Sequence, residues 1–445
     1  MGQFPLDGIG DGAMTTRADE QLVRGLGLRQ LTANIFNYTV GSGIFVLPGI
    51  IAAALGPPAL LAYLLCALIM GLVVLVFAEA GSRVAITGGP YAYVEVGLGA
   101  FPGFLAGVLI CLTDVAAFGA VATVMANLIA RALHVEGALW VNGIILVMVS
   151  ALAAVNINGL KSGSRLIEIF TFAKLVPIFF FVIVGAFFVN GSNLSFEQMP
   201  SASNVARTAG TLIFAFAGIE AALLPSGEVR NPSRTVPLAA IYALGFVTIL
   251  YLAVQAVALG VLGPALATDK VAPLATAART FSGNAGRNLL LVGAGVSMFG
   301  WLTGSILAGP RAFFALSRDG FLPKQLASVH PRFRTPHVAI VLYAILAIGL
   351  AWSGTFERLA VLSNIAALGL YFMCAISVVI LRRRDVRSDG EPFRIPGGVL
   401  IPVLACAAII WVMIETITQR EVIALAITFA VGLVGFLLRR RERSA

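Results

Sequence analysis

Apolar residues run through this chain in long blocks, separated by short polar or basic stretches. Blocks of about 20 residues have the length an α-helix needs to cross a hydrocarbon core. The pattern predicts twelve such helices, over 28–55, 58–82, 101–131, 138–156, 165–189, 205–227, 236–262, 288–316, 336–353, 358–381, 397–417 and 421–438. The first block is interrupted. Its centre reads "NYTVGSGIFVLPG", Asn37 to Gly49, with three Gly, a Ser and a Pro in mid-block. Gly and Pro are the poorest helix formers, so the first helix is expected to be discontinuous.

The sixth block carries a related interruption, "GIEAALLPS", from Gly218 to Ser226. In each, a Gly stands seven residues before the Pro of a Leu-Pro pair: Gly41 and Pro48, Gly218 and Pro225. Blocks five apart cross a bilayer in opposite directions, so the two interruptions are antiparallel. Broken helices at matching places in two inverted halves point to the binding site of a secondary transporter. A break frees backbone N–H and C=O groups, which at membrane depth must face protein or a water-lined cavity. The N-terminus of a half-helix offers N–H donors to an anion, and its counterpart offers carbonyls to an ammonium group. A zwitterion with a carboxylate and an amine is the expected guest.

Composition excludes a soluble fold. Of 445 residues 59% are hydrophobic and 11% charged, with mean hydropathy +0.95, whereas soluble domains carry roughly a quarter charged residues. The net charge of +9 reflects topology rather than nucleic-acid binding. Of 30 Lys and Arg, 22 fall on the face that holds both termini, 7 on the other, and Lys174 lies within a block. The larger set includes Arg24, Arg29, Arg230, Arg234, Arg318, Lys324, Arg382 to Arg384 and Arg439 to Arg441. That bias places both termini in the cytoplasm of a multi-pass plasma-membrane (cell inner membrane) protein. Residues 1–25 are polar, Gly-rich and carry both charges, so they are read as a flexible cytoplasmic N-terminus without a cleavable signal. Cys66, Cys111, Cys374 and Cys406 lie within apolar blocks and read as small apolar residues rather than disulfides or metal ligands. No GxxxxGK[ST] loop is present, which argues against direct ATP drive. The only histidines, His134, His330 and His337, fall in expected loops, with no HExxH and no Ser/His/Asp set, so an intramembrane enzyme is disfavoured. A channel would need a pore lined by polar rings, which paired breaks and few intramembrane charges do not provide.

Several segments together resemble the amino acid–polyamine–organocation transporter superfamily. They are "GSGIFVLPG", "FAEAGSRVAITGGPYAYVEVGLG" from Phe77 to Gly99, "FAFAGIEAALLPSGEVRNPSRTVPLA" from Phe214 to Ala239, and "GWLTGSILAGPRAFFALSRDGFLP" from Gly300 to Pro323, followed by "HPRFRTP". The resemblance implies an all-α polytopic membrane protein with a five-plus-five, leucine-transporter-like inverted repeat. The repeats would be 26–189 and 205–384, with helices one and six discontinuous and two further helices within 395–440. It implies an amino acid permease that takes up amino acids or related amines by alternating access, without a cofactor, with exchange of solutes as the alternative mode. Gly41, Ser42 and Gly43 resemble the carboxylate-binding break, and carbonyls near Thr39, Phe214 and Ala217 would receive the amine. Phe214 stands where relatives place an aromatic lid, and Trp301 where an aromatic separates substrate from the cytoplasmic vestibule. In arginine/agmatine exchangers of the superfamily the lid is Trp, so Phe214 is a departure and the resemblance does not single out a guanidinium substrate. Asn364 is placed in the pocket lining. The small Ala215, Ala217, Ala221 and Ala222 point to room for neutral or varied side chains.

Charges within the blocks are the remaining candidates. Lys174, in "FTFAKLVPIFFFV", is a functional candidate by depth alone. Desolvation opposes its charge, so it is a candidate to exchange a proton, the expected coupling ion. It resembles the span-five Lys of sodium-independent relatives, whose ammonium replaces a coupling sodium ion and touches the first break. Glu220, two residues after Gly218, matches an acidic family position in coupling and gating, with a shape-fixing hydrogen-bonded carboxyl as the plainer reading. Asp114 would meet a cationic side chain or a proton, or else bond a neighbouring helix. Glu79, Arg311, Arg318 and Asp319 are expected in a cytoplasmic network.

Overall fold

The computed structural model describes residues 26–84, 88–158, 163–195, 198–223, 229–387 and 390–444; of residues 163–172, 221–222, 431 and 434–444 it describes the backbone only. The secondary structure of the described residues is helical. It comprises α1 (Leu28–Thr39), α2 (Gly43–Leu55), α3 (Ala59–Arg83), α4 (Pro90–Leu98), α5 (Ala100–Ala132), α6 (Ala138–Ile157), α7 (Gly163–Gly185), α8 (Ala202–Phe216), α9 (Ile219–Ala222), α10 (Pro232–Leu262), α11 (Pro273–Arg318), α12 (His337–Ser353), α13 (Phe356–Arg383), α14 (Leu400–Thr416) and α15 (Gln419–Ser444), with short 3-10 turns between some of them. The one β feature among them is an isolated parallel bridge, Leu26 to Val229, where the chain enters α1 and approaches α10.

Each predicted block is mainly helical among its described residues, but the helices are not equal. Six are long and apolar enough to cross a membrane alone: α3, α5, α6, α10 with the turn after it, α11 and α13. Two bent pairs meet the same test together, α1 with α2 (47°) and α14 with the start of α15 (118°), while α12 and Ala173–Phe188 are shorter. The eighth block begins earlier than its apolar pattern indicates. Helix α11 starts at Pro273 and kinks at Gly283, whose φ of 60° departs from helix geometry. Helix α4, between the second and third blocks, is a short extra element.

The outer surface is apolar. Leu68, Val147, Ile183, Ile249, Val292, Ile345 and Ile414 are each at least 60% exposed on different helices. A belt of this kind is suited to lipid and not to water. Inside, α13 packs along α5, α10 along α3, and α11 against α7 and α5. The four cysteines are free thiols, three of them buried.

One buried charge cluster pins the α3 terminus. Glu79, fully buried, receives Arg83 Nε at 2.9 Å, Arg382 Nε at 3.0 Å and the Ile395 amide at 3.0 Å. Arg83 in turn donates to the Val386 carbonyl, and the Phe393 amide donates to Ser82 Oγ. A buried carboxylate requires this degree of pairing. Glu79 therefore joins α3 to the end of α13 and the strap that follows. Of the other residues expected in a cytoplasmic network, Arg318 pairs with its neighbour Asp319 at 2.9 Å, and Arg311 donates to the Leu307 carbonyl one turn back. Sequence proximity to the same membrane face did not reveal that Arg382, Phe393 and Ile395 come back onto α3.

Candidate functional site

Both expected breaks are present. Helix α1 ends at Thr39, and Val40, with φ −84° and ψ 85°, leaves helical geometry. The chain restarts as α2 at Gly43 behind Ser42. Helix α8 ends at Phe216; Ala217 is extended (ψ 160°) and Gly218 has φ +114°, a region that favours glycine. Pro225 and Ser226, and the side chains of Ala221 and Ala222, lie outside the described residues.

The two breaks touch. A Cβ on Gly218 would stand 2.8 Å from the Tyr38 carbonyl oxygen, and a Cβ on Gly43 would stand 3.0 Å from Ala215 Cβ. Glycine at both positions lets the backbones meet. Tyr251, from α10, places its hydroxyl 3.1 Å from the Thr39 carbonyl and 2.9 Å from the Ala215 carbonyl, bridging the breaks. In an unbroken helix the Gly218 amide would bond the Phe214 carbonyl. Here it turns to both oxygens of Glu220, each at 3.1 Å, which releases the Phe214 carbonyl from that partner. Tyr371 also donates to Glu220, at 2.8 Å. Glu220 thus shapes the second break while lining the space beside it.

That space is a cavity of about 890 Å³, its open mouth included, bounded by α1, α2, α5, α8, α11 and α13. Thr39, Gly41, Ser42, Gly43, Asp114, Phe214, Ala217, Glu220 and Trp301 all line it. The first amides of any helix lack intrahelical acceptors, and at the head of α2 Ser42 and Gly43 line the cavity. Beside them Ser42 Oγ is buried without a hydrogen-bond partner among the described residues. The Thr39 carbonyl, expected to receive an amine, accepts from the Gly41 amide at 3.0 Å and lies 3.1 Å from the Tyr251 hydroxyl. Trp301 covers Gly41, where a Cβ would come within 3.2 Å of its ring, and donates to the Tyr38 carbonyl at 3.1 Å. Phe214 stacks edge-on against Phe356 of α13, centroids 5.2 Å apart.

Two candidates stand apart from the lining. Lys174, 2% exposed, lies behind the first break and donates to the Asn37 carbonyl at 2.9 Å, the Asn37 side-chain oxygen and the Val40 carbonyl at 2.8 Å. Its ammonium therefore neutralises the carbonyl end of α1. Asn364 turns its amide to the Gly210 and Thr211 carbonyls, at 2.8 and 3.3 Å, and its neighbour Ser363 lines the cavity instead. Asp114 accepts from Tyr343 at 2.7 Å and Ser305 at 3.1 Å. The tyrosines that organise the site, Tyr251, Tyr343 and Tyr371, were missed by sequence reasoning. Their only signal was a phenol inside an apolar block, which reads as an ordinary core aromatic.

A polytopic helical bundle with two helix breaks meeting at an internal cavity defines a membrane permease. The chain belongs to the amino acid permease family, whose profile matches residues 26–436. It is 31% identical to a serine/threonine exchanger of Bacillus subtilis (strain 168), over 94% of this chain and 96% of the relative. It is 30% identical to a methylthioribose transporter of that organism (96% and 95% covered) and 27% identical to its branched-chain amino acid permease (99% and 98%). The chain is accordingly a transport protein and not an enzyme.

Proposed function

We propose that this protein is a secondary active transporter of amino acids, working by alternating access with the proton as coupling ion. The meeting of two antiparallel helix breaks at one cavity carries the reading. The substrate carboxylate is taken by the head of α2, at Ser42 and Gly43, where unpaired amides and the helix dipole favour an anion. The amine is taken by carbonyls at the end of α8. Lys174 serves as the proton site, because loss of its proton would remove its charge and leave two N–H donors for three acceptors, and so loosen the first break. The twelve helical segments are read as twelve spans, five plus five inverted with two more, both termini cytoplasmic, in the plasma membrane. Two of the relatives are named for amino acids and the third for a thiosugar, so an amino acid is the first class to test. Exchange of one solute for another is the second reading, favoured by the relative named as an exchanger.

Binding tests the site before any transport assay. The purified protein is melted with each of a panel of amino acids, and with the matching amines that lack the carboxylate. A ligand at 100 times its Kd adds about 2.7 kcal/mol to the state it binds. At least one amino acid is expected to raise the melting temperature by a degree or more, its amine is not, and Gly43→Leu is expected to abolish the shift. Equal stabilisation by the amine would remove the carboxylate site from the head of α2.

A further inference from the structure

Thr113 is unusual among the helical threonines. Thr39, Thr123, Thr208, Thr248 and Thr303 each donate their hydroxyl to the carbonyl four residues back, at 2.8–2.9 Å. Such back-bonding is the ordinary local solution for a threonine in an apolar helix. Thr113, on α5, is only 6% exposed, lines the cavity, and has a hydroxyl without a hydrogen-bond partner among the described residues. Its carbonyl accepts from Ser363 of α13 at 2.9 Å, which fixes the two helices against each other at this point. The next residue is Asp114. Tyr343 and Ser305 each donate to one of its oxygens, and each carboxylate oxygen has capacity for a further donor. Gly309 makes room for it, since a Cβ there would overlap Asp114 Oδ2. No cationic side chain pairs with Asp114 among the described residues.

We propose that Thr113 and Asp114 form the subsite for the substrate side chain and select side chains that donate a hydrogen bond, whether from a hydroxyl or from an ammonium group. This rests on the reading of the cavity as an amino acid site, with Ser42 and Gly43 at its carboxylate end. An apolar side chain in the same place would seal off a hydroxyl without a partner and a carboxylate with acceptor capacity unused, a cost that a donor avoids. A solute that displaces solvent from these groups must supply the bonds itself or forfeit them.

Solutes matched in shape test it. Uptake by the protein in liposomes is measured for threonine against valine and for lysine against norleucine. Wild-type protein is expected to favour the donor-bearing member of at least one pair by about tenfold or more in kcat/KM. Thr113→Val, nearly isosteric, is expected to bring that ratio close to one while keeping uptake of the apolar member, and Thr113→Ser to preserve it. Asp114→Asn is expected to abolish a lysine preference but to leave most of a threonine preference, which separates the ammonium from the hydroxyl. Melting shifts of wild-type protein with the same four solutes give the preference without any variant. A wild-type preference for valine and norleucine, or an unchanged ratio in Thr113→Val, overturns the subsite and leaves the amino acid reading standing. If none of the four is bound or carried, that reading fails and the subsite with it.

Discussion

Gly218→Ala is expected to abolish transport while the protein still inserts and purifies as a single species. Two independent costs meet at this residue. Its φ of +114° is open to glycine and strained for any other residue, by about 1–3 kcal/mol. The added methyl would also stand 2.8 Å from the Tyr38 carbonyl oxygen and 3.2 Å from the Thr39 amide nitrogen. Both neighbours are backbone, so no side chain can swing aside; relief requires the second break to move away from the first. Tyr251 would then lose one of the two carbonyls its hydroxyl bridges. Gly143→Ala and Gly245→Ala are the controls, since nothing lies within 4 Å of a Cβ at either place. They are expected to transport at wild-type rates. Wild-type uptake by Gly218→Ala would show that the contact between breaks is dispensable.

Lys174→Ala carries the second large effect. The ammonium satisfies two backbone carbonyls and the Asn37 side chain at a position closed to water. Its removal leaves these acceptors buried and unpaired, at about 1–3 kcal/mol each. Melting is therefore expected several degrees lower, and the first break less well held. The α2 amides and Ser42 are untouched, so residual amino acid binding is expected, weaker than in wild-type protein. Stimulation of uptake by an inward proton gradient is expected to vanish. If Lys174→Ala kept full stimulation by the gradient, the proton would have to be carried elsewhere, with Glu220 and Asp114 as the remaining cavity carboxylates.

The breaks were legible in the sequence because glycine acts locally, at Gly41, Gly43 and Gly218, whereas Pro48 sits inside α2 and does not break it. Gly41, Ser42, Gly43 and Ala217 all fall on the cavity, and Lys174 stood out because a lysine within an apolar block has few innocent explanations. The rest depends on contacts between distant parts of the chain. Tyr251 meets Thr39 across 212 positions, Ser363 meets Thr113 across 250, and Arg382 meets Glu79 across 303. No local pattern encodes such partners. Asn364 shows the same limit at finer scale: one step along a helix turns a side chain by about 100°, enough to exchange the cavity for the α8 carbonyls. Thr113 was hidden for a different reason. Its distinction is a hydrogen bond that its side chain does not make, and only coordinates reveal that.

On the proposed reading, amino acids bind between the two breaks and move with protons. Uptake of labelled amino acids into proteoliposomes, with the interior held at the same pH as the exterior or more alkaline, tests it most directly. Uptake is expected to saturate with substrate, to accumulate above equilibrium only when the interior is alkaline, and to be lost in Gly218→Ala. Flux that rises linearly with concentration and ignores the proton gradient would contradict it.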